Sequence, residues 1–396
     1  MQTLTIKAER GWPTRAGHPW LFRDDVLNLP RTIEDGAECE VLDAHGAFVG
    51  RGLLAARSQI ICRIYSRQRE PLNEHFFRRR IEAARDLRTE LGFPNDQTDS
   101  YRAVFAEADR LPGLTVDRYG DYLVIQTPTP GLDQRKAMIV ETLAEIYQPR
   151  GICERNDMPV RKSDCLPLVS GWLMGDSPAS IRIRENGLRY DVDPIGAMKT
   201  GHFFDQRDNR LLLAPLCRDK NVLEVFSYTG GFGLTAAQHG AARVLAVDSS
   251  AEAIAAAESN ARLNGLADRI EHRVGDALET LKQLEHEHRK YDVIVLDPPA
   301  FAKNKTHVDH ALRGYRKLNR QAFKLLNVGG HLLSCSCSYH VHRRLFRDAM
   351  MQAAGEARCV ARIVAEGVAG KDHPVLLNVP ETEYLKSLLV TAVEKF

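Results

Sequence analysis

The spacing of apolar positions divides the chain into three textures. Up to about residue 70 the apolar runs are short, of period two, and broken by glycine. Residues 38–43 end at the turn Ala44-His45-Gly46, and runs at 47–54 and 59–65 follow. Such alternation turns one side of each strand inward and predicts a small β-barrel. Upstream, Gly17-His18-Pro19-Trp20-Leu21-Phe22 places two aromatics beside a proline turn, and the barrel core is their expected place. The period then changes. Phe76, Phe77, Ile81, Ala84, Leu87 and Leu91 recur near helical spacing, which predicts a helix over 73–91. Asp109-Arg110-Leu111-Pro112-Gly113-Leu114 reads as a turn. Strand-like 115–118 and 122–126 flank Tyr119-Gly120-Asp121 as a hairpin. A second helix is predicted over 136–147, and a hairpin-like stretch at 182–190 closes an α+β region. From about residue 219, strands at 221–226, 243–248, 270–276, 291–297 and 330–336 alternate with helices from about 233 and at 251–264, 277–288 and 307–326. That alternation predicts a parallel, doubly wound sheet. The expected class is α/β with a Rossmann-like final domain. The expected boundaries are 1–70, 71–185 and 186–396.

Composition narrows the possibilities only a little. The chain has 396 residues, 44% hydrophobic and 27% charged, which excludes disorder along its whole length and a low-complexity fibre. No stretch approaches 18 uncharged apolar residues, so no membrane span is expected. Residues 1–7 lack the apolar core of a secretory signal, so a cytoplasmic home is expected. The eight cysteines form no CxxC, which signals neither a zinc knuckle nor a redox pair, and no metal site is expected. Net charge is +2, but its distribution is uneven. Between Arg51 and Arg80 eight arginines face Glu70 and Glu74, a local net of +6. Such a run is either a solvated face or a strip that contacts phosphates, and Arg78, Arg79 and Arg80 are its densest part.

The chemistry concentrates in the third region. The first strand runs into Glu224-Val225-Phe226-Ser227-Tyr228-Thr229-Gly230-Gly231-Phe232-Gly233. Glycines at 230, 231 and 233 let the backbone turn sharply at the carboxyl edge of a parallel strand, where this class binds ligands. The spacing is not the G-x-G-x-x-G of a pyrophosphate site, and the acidic Glu224 suits an amine-bearing ligand better. S-adenosylmethionine carries both an ammonium and a sulfonium. Asp248 ends the second strand, where a carboxylate accepts ribose hydroxyls. Asp276 ends the third and is placed to meet the adenine amine. Asp297-Pro298-Pro299 ends the fourth, beside the expected methyl donor. Any one of these acids alone reads as a helix cap. Four of them on four consecutive strands, with a glycine loop on the first, point to a class I methyltransferase. Beyond the fifth strand lies Ser334-Cys335-Ser336-Cys337-Ser338-Tyr339. A thiolate there can add to C6 of a pyrimidine and make C5 nucleophilic, with Asp297 holding or protonating N3. The pattern alone does not choose between the two thiols.

Several longer motifs carry a resemblance. They are the stretch from Lys199 through Gly201-His202-Phe203-Phe204-Asp205-Gln206-Arg207 to Arg210, then Phe226–Phe232, Asp297-Pro298-Pro299-Ala300-Phe301, Ser336-Cys337-Ser338 and Asp372-His373-Pro374-Val375. With residues 17–22, 108–120 and 384–386, they resemble the RlmI-type large-subunit ribosomal RNA cytosine-5 methyltransferases nearly end to end. The resemblance implies an RNA-binding PUA domain first, an α+β domain second and a catalytic S-adenosylmethionine domain last. It implies ribosomal RNA as partner and a homodimer. It places the donor among Phe226, Ser227, Tyr228, Thr229, Gly230, Gly231, Asp248, Asp276 and Asp297, with Gln206 and Arg207 lying over it. It also matches the family's cysteine to Cys337. Better-known RNA cytosine-5 enzymes carry a second cysteine in a Pro-Cys dipeptide where this chain has Asp297-Pro298-Pro299, so their route of product release does not transfer. The alternative is methylation of guanine or an exocyclic amine, which would leave Cys337 without a covalent role. For that chemistry Ala300 occupies the usual aromatic place. A non-catalytic relative would show a degraded glycine loop, and a nicotinamide enzyme would show G-x-G-x-x-G. Neither is present.

Overall fold

A computed structural model describes residues 1–196, 200–302 and 304–396. The chain forms two compact units. One comprises Met1–Arg184, Val192–Phe204 and Asp372–Thr382; the other comprises Glu185–Asp191, Asp205–Lys371 and Glu383–Phe396. The motif residue Lys199 lies outside the described residues.

The first unit begins with a five-stranded sheet. Its strands are β1 (Gln2–Thr5), β2 (Trp20–Phe22), β3 (Glu38–Leu42), β4 (Phe48–Leu54) and β5 (Ile60–Ser66), in the order β1-β3-β4-β5-β2, with the short helix α1 (Trp12–Arg15) between β1 and β2. A bridge between Ile6 and Val26 brings the ends of this sheet together. Leu4, Ile6, Leu21, Val41 and Ile61 fill its core. Trp20 and Phe22 do not belong to that core, contrary to expectation. Alternation within a three-residue strand sends only Leu21 inward, while Phe22 is exposed and Trp20 Nε1 donates to Glu107 Oε1 at 2.9 Å.

The second sheet comprises β6 (Tyr101–Phe105), β7 (Thr115–Tyr119), β8 (Tyr122–Gln126), β9 (Gly151–Asn156) and β10 (Val169–Gly175), in the order β10-β9-β8-β7-β6. Three helices accompany it: α2 (Glu74–Glu90), α3 (Pro130–Gln134) and α4 (Lys136–Tyr147). Asn73 starts α2 by accepting the Phe76 amide at 3.1 Å, and Phe76, Phe77, Ile81 and Ala84 form its buried stripe. The motif at 372–375 also serves this unit. Asp372 Oδ2 accepts the Arg102 amide at 2.8 Å, and its carbonyl accepts buried Arg88 at 2.9 Å. The hairpin of β11 (Ile181–Glu185) and β12 (Leu188–Val192) follows in the chain, turned by Asn186 and Gly187 at positive φ.

The other unit is a doubly wound sheet. Its elements are α5 (Arg207–Leu213), β13 (Asn221–Val225), α6 (Gly231–Gln238), β14 (Arg243–Asp248), α7 (Ala251–Leu263), β15 (Ile270–Val274), α8 (Ala277–His286), β16 (Tyr291–Leu296), α9 (Val308–Leu325), β17 (Leu326–Ser336), α10 (Arg343–Glu356), β18 (Cys359–Val368) and β19 (Lys386–Lys395). The strand order is β15-β14-β13-β16-β17-β19-β18. The first five are parallel, but β19 runs antiparallel to both β17 and β18, so the sheet is mixed rather than wholly parallel. Strands that return without a crossover helix can pair only in this sense. Val225, Val247, Ile294 and Leu296 are buried in the central strands, which explains their continuous apolar runs. Strand order reverses between β13 and β16, and that reversal opens a crevice at their carboxyl ends. No helix among the described residues is long and apolar enough to cross a membrane.

Candidate active site

The left side of the crevice is built on β13. Glu224 is buried, and its two carboxylate oxygens accept the amides of Phe232 at 3.0 Å and Gly233 at 2.9 Å. Burial pushes its carboxyl up to about 8, against the pull of those two amides and of Arg210. Glu224 therefore caps its own helix N-terminus. The glycines follow from the same packing. A Cβ on Gly233 would lie 2.5 Å from Glu224 Oε2, and one on Gly231 would lie 2.6 Å from Arg210 Nε. Arg210 is paired with buried Glu185. Arg207, expected over the donor, is also buried and lies 3.3 Å from that same carboxylate. That ion pair ties the start of α5 to Glu185.

The loop after β13 is strained. Phe226, Tyr228 and Gly230 all adopt positive φ, at 66°, 48° and 85°. For the two aromatic residues this costs on the order of 1–3 kcal/mol each. Backbone bonds hold the loop in place: Ser227 N donates to Val247 O at 3.0 Å, and Gly230 N to Ser227 O at 2.8 Å. Asp248 Oδ2 accepts the Tyr228 amide at 2.8 Å and Oδ1 accepts the Ser250 amide at 3.0 Å. Asn260 Nδ2 reaches Thr229 O at 3.3 Å. Asp276 lies further out, exposed, and caps α8 through the Glu279 amide at 3.0 Å.

The right side is built on β16 and β17. Asp297 follows β16, and Gln206 Nε2 donates to its Oδ1 at 2.7 Å. Gln206 Oε1 accepts Asn209 Nδ2 at 2.7 Å and lies 4.0 Å from Cys335 Sγ. Cys335 is fully buried, and burial together with Asp297 holds its thiol well above the ordinary range. Cys337 is half-buried, with Sγ 3.9 Å from the carbonyl of Pro298. A hydroxyl network brackets it. Ser336 Oγ donates to Tyr315 Oη at 2.9 Å, Tyr315 Oη and Ser338 Oγ are 3.0 Å apart, and the Ala302 amide donates to Ser338 Oγ at 3.2 Å. Lys386 holds the carbonyls of Ser338 and Val341. Sequence reasoning gave no role to Tyr315 or to Lys386, although Lys386 ends the 384–386 motif. A second signal was a lysine placed just before the apolar run Leu388-Leu389-Val390.

The arginines at 78–80 belong to the first unit and differ among themselves. Arg78 pairs with Glu74 at 2.9 Å and Glu145 at 2.5 Å, and Arg79 pairs with Glu70 at 2.6 Å. Arg80 lies over the Phe76 ring at 5.2 Å, and its Nε is buried without a hydrogen-bond partner among the described residues.

Comparison with known proteins decides the family. Residues 161–371 match the S-adenosylmethionine-dependent methyltransferase model, and residues 4–67 match a PUA-like domain. A ribosomal RNA large subunit methyltransferase I from Vibrio cholerae is 38% identical over 376 residues, 94% of each chain. The chain belongs to the ribosomal RNA large subunit methyltransferase I family. A Klebsiella pneumoniae member is 37% identical over 372 residues, 93% of each chain. A SAM-dependent methyltransferase structure from Streptococcus mutans shares the fold, with a TM-score of 0.86 at 24% identity over 99% of this chain and 100% of that one. This methyltransferase uses S-adenosylmethionine, and its crevice fits that donor. Ser227 Oγ is buried with no partner among the described residues, in a loop whose Ser227, Tyr228 and Gly230 amides are already bonded. The half-buried Asp248 carboxylate stands beside it, a ready acceptor for paired hydroxyls.

Proposed function

We propose that this methyltransferase modifies C5 of a cytosine in large-subunit ribosomal RNA, with Cys337 as nucleophile. One observation carries the reading: of the two thiols at the end of β17, the one beside the Asp297-Pro298 turn is partly exposed, while the other is sealed. The donor would be held by residues 226–231 and Asp248, with Asp276 further out, and it supplies the methyl group as an electrophile. The chain's residues prepare the acceptor. Cys337 adds as a thiolate to C6, and the C5–C6 π pair shifts so that C5 becomes nucleophilic. Asp297, oriented by Gln206, faces the N3 and amine edge, where negative charge develops. Once C5 is methylated, a base takes its proton, the double bond re-forms and the sulfur leaves with its electron pair. The base must leave its stack to enter such a site.

Amino-group methylation fits less well. Phe301, the aromatic nearest the expected stacking place, packs against Tyr315 with ring centroids 4.9 Å apart and joins the hydrophobic core. The relatives' names specify large-subunit ribosomal RNA. For this chain, mass spectrometry of that RNA from a deletion strain tests the reading: one 5-methylcytosine disappears if it is right, and a lost methylguanine or methylated amine refutes it.

In the RNA-facing role proposed for residues 1–70 and the start of 71–185, Arg80 is the best-placed of its three neighbours. Arg78 and Arg79 already have carboxylates. Burial and the nearby charge of Arg110 push the Arg80 guanidinium down to about 10, and the same Arg110 acts on Arg67, which is fixed by the carbonyls of Val49 and His18. A guanidinium, Arg110, that repels both Arg67 and Arg80 suits a phosphodiester that relieves the repulsion.

A further inference from the structure

Lys386 is the first residue of β19 and is 5% exposed. A buried ammonium needs partners, and this one has two backbone carbonyls, Ser338 O at 2.7 Å and Val341 O at 2.6 Å. Both belong to the turn that begins directly after Cys337, and the Val341 amide closes that turn on Ser338 O at 3.1 Å. The lysine thus reaches from the antiparallel strand beside β17 and fixes the chain on which the sulfur is mounted.

Burial pushes the Lys386 amine down to about 8, and the Cys337 sulfur is the leading influence in the opposite direction. Glu383 also favours its charge, and Arg343 at the start of α10 opposes it. Arg343 is itself paired with Glu366 at 2.9 Å and Glu383 at 3.1 Å. Around the sulfur stand Tyr315 from α9, the sealed thiol of Cys335, Lys386, and the carboxylate of Asp297, whose neighbour Pro298 carries the carbonyl 3.9 Å from Sγ. Tyr315 is held neutral, its hydroxyl pushed up to about 12 by burial. Cys335 likewise stays protonated. Neither supplies positive charge.

We propose that Lys386 is the positioning residue of the reactive sulfur: it pins the turn after Cys337 and sets a buried positive charge against the thiolate. This rests on the reading of Cys337 as nucleophile. The physical requirement is plain. A free cysteine is mostly protonated at neutral pH, and only the thiolate adds to C6; a cation close by favours that form. The same charge favours departure of the sulfur as a thiolate at the end of the cycle. No proton passes through the lysine in either step. The amine needs only to remain an ammonium, which its two carbonyl acceptors favour over the neutral form.

The test is alkylation of Cys337 by iodoacetamide as a function of pH, read by peptide mass spectrometry on the full chain. The wild-type midpoint is expected below the ordinary thiol value of about 8.5. Lys386→Met should raise it by about one pH unit or more, and Lys386→Arg should leave it near wild type. Binding of S-adenosylhomocysteine, measured by calorimetry, should be unchanged in both variants. A Lys386→Met midpoint equal to wild type in a protein that still binds S-adenosylhomocysteine overturns the proposal. If the methionine variant fails to fold, the wild-type midpoint decides alone, and a value at or above the ordinary one overturns the proposal. The nucleophile reading fails separately. A Cys337→Ala enzyme with near-normal turnover removes that reading, whatever the midpoint.

Discussion

The loop after β13 and the turn after β17 lie at the same carboxyl edge of one sheet, yet they are held by opposite means. The β13 loop is fixed almost wholly by its immediate surroundings. Glu224 on the same strand ties the helix start, and Val247 and Asp248 on the adjoining strand take the loop amides. The β17 turn depends on groups far away in the chain: the Tyr315 hydroxyl from α9, the Ala302 amide after β16 and the Lys386 ammonium from β19. The first arrangement makes a rigid cradle out of backbone. The second makes the reactivity of a sulfur depend on a network of side chains. Changes in the two regions should therefore move different measurements.

The largest effect is expected at the sulfur. Cys337→Ala should lower methyl incorporation by roughly 10⁴-fold or more while donor affinity stays the same, whereas Cys335→Ala should keep most of the activity. Isotopic methyl transfer to RNA and donor calorimetry check both halves. Next is the cradle. Gly233→Ala forces a Cβ to 2.5 Å from the buried Glu224 carboxylate. Overpacking of that kind costs about 1–3 kcal/mol, and donor affinity should fall roughly 10- to 100-fold. A titration showing undiminished affinity would mean that the loop is not the cradle. Tyr315→Phe removes the hydroxyl shared by Ser336 and Ser338; turnover should fall about 10-fold with donor affinity unchanged. A loss of donor affinity instead would erase the contrast between the two regions.

Two smaller effects reach beyond the thiol turn. Arg80→Glu should weaken RNA binding by about 10-fold at low salt and flatten its salt dependence, while Arg78→Glu and Arg79→Glu, whose positions already hold carboxylate partners, should do less. Equal losses at all three positions, seen in filter binding across a salt series, would make α2 a general cationic face. The last effect is on stability. Burial raises the folded Glu224 carboxyl from its ordinary 4.5 to about 8, so the folded state retains the proton across that window. The stability it contributes is full below 4.5 and is lost as pH rises towards 8. Denaturant unfolding at several pH values should show that decline, and Glu224→Gln should flatten it.

How much was legible in the sequence follows the same division. The strand–helix alternation from residue 221 onward reads directly, because central parallel strands are apolar on both faces. The helix over Glu74–Glu90 and the hairpin at 115–126 also read directly from period and turn residues. β18 and β19 were not anticipated, since the exposed face of β18 carries polar residues among its valines and breaks the apolar run. The capping role of Glu224 was not legible, because a strand-end acid looks the same in the sequence whether or not it takes helix amides such as those of Phe232 and Gly233. Trp20 was misread because its hydrogen-bond partner, Glu107, is 87 residues away. Cys335 and Cys337 differ by two positions, and it is the three-dimensional packing that seals one and opens the other.

The most direct test of the whole account is a covalent trap. Incubation of the enzyme with S-adenosylmethionine and RNA containing 5-fluorocytosine at the target blocks the final proton removal, because fluorine occupies C5. The account predicts a stable protein–RNA adduct whose cross-linked peptide maps to Cys337. Methylation of ordinary RNA with no such bond to Cys337 would contradict it.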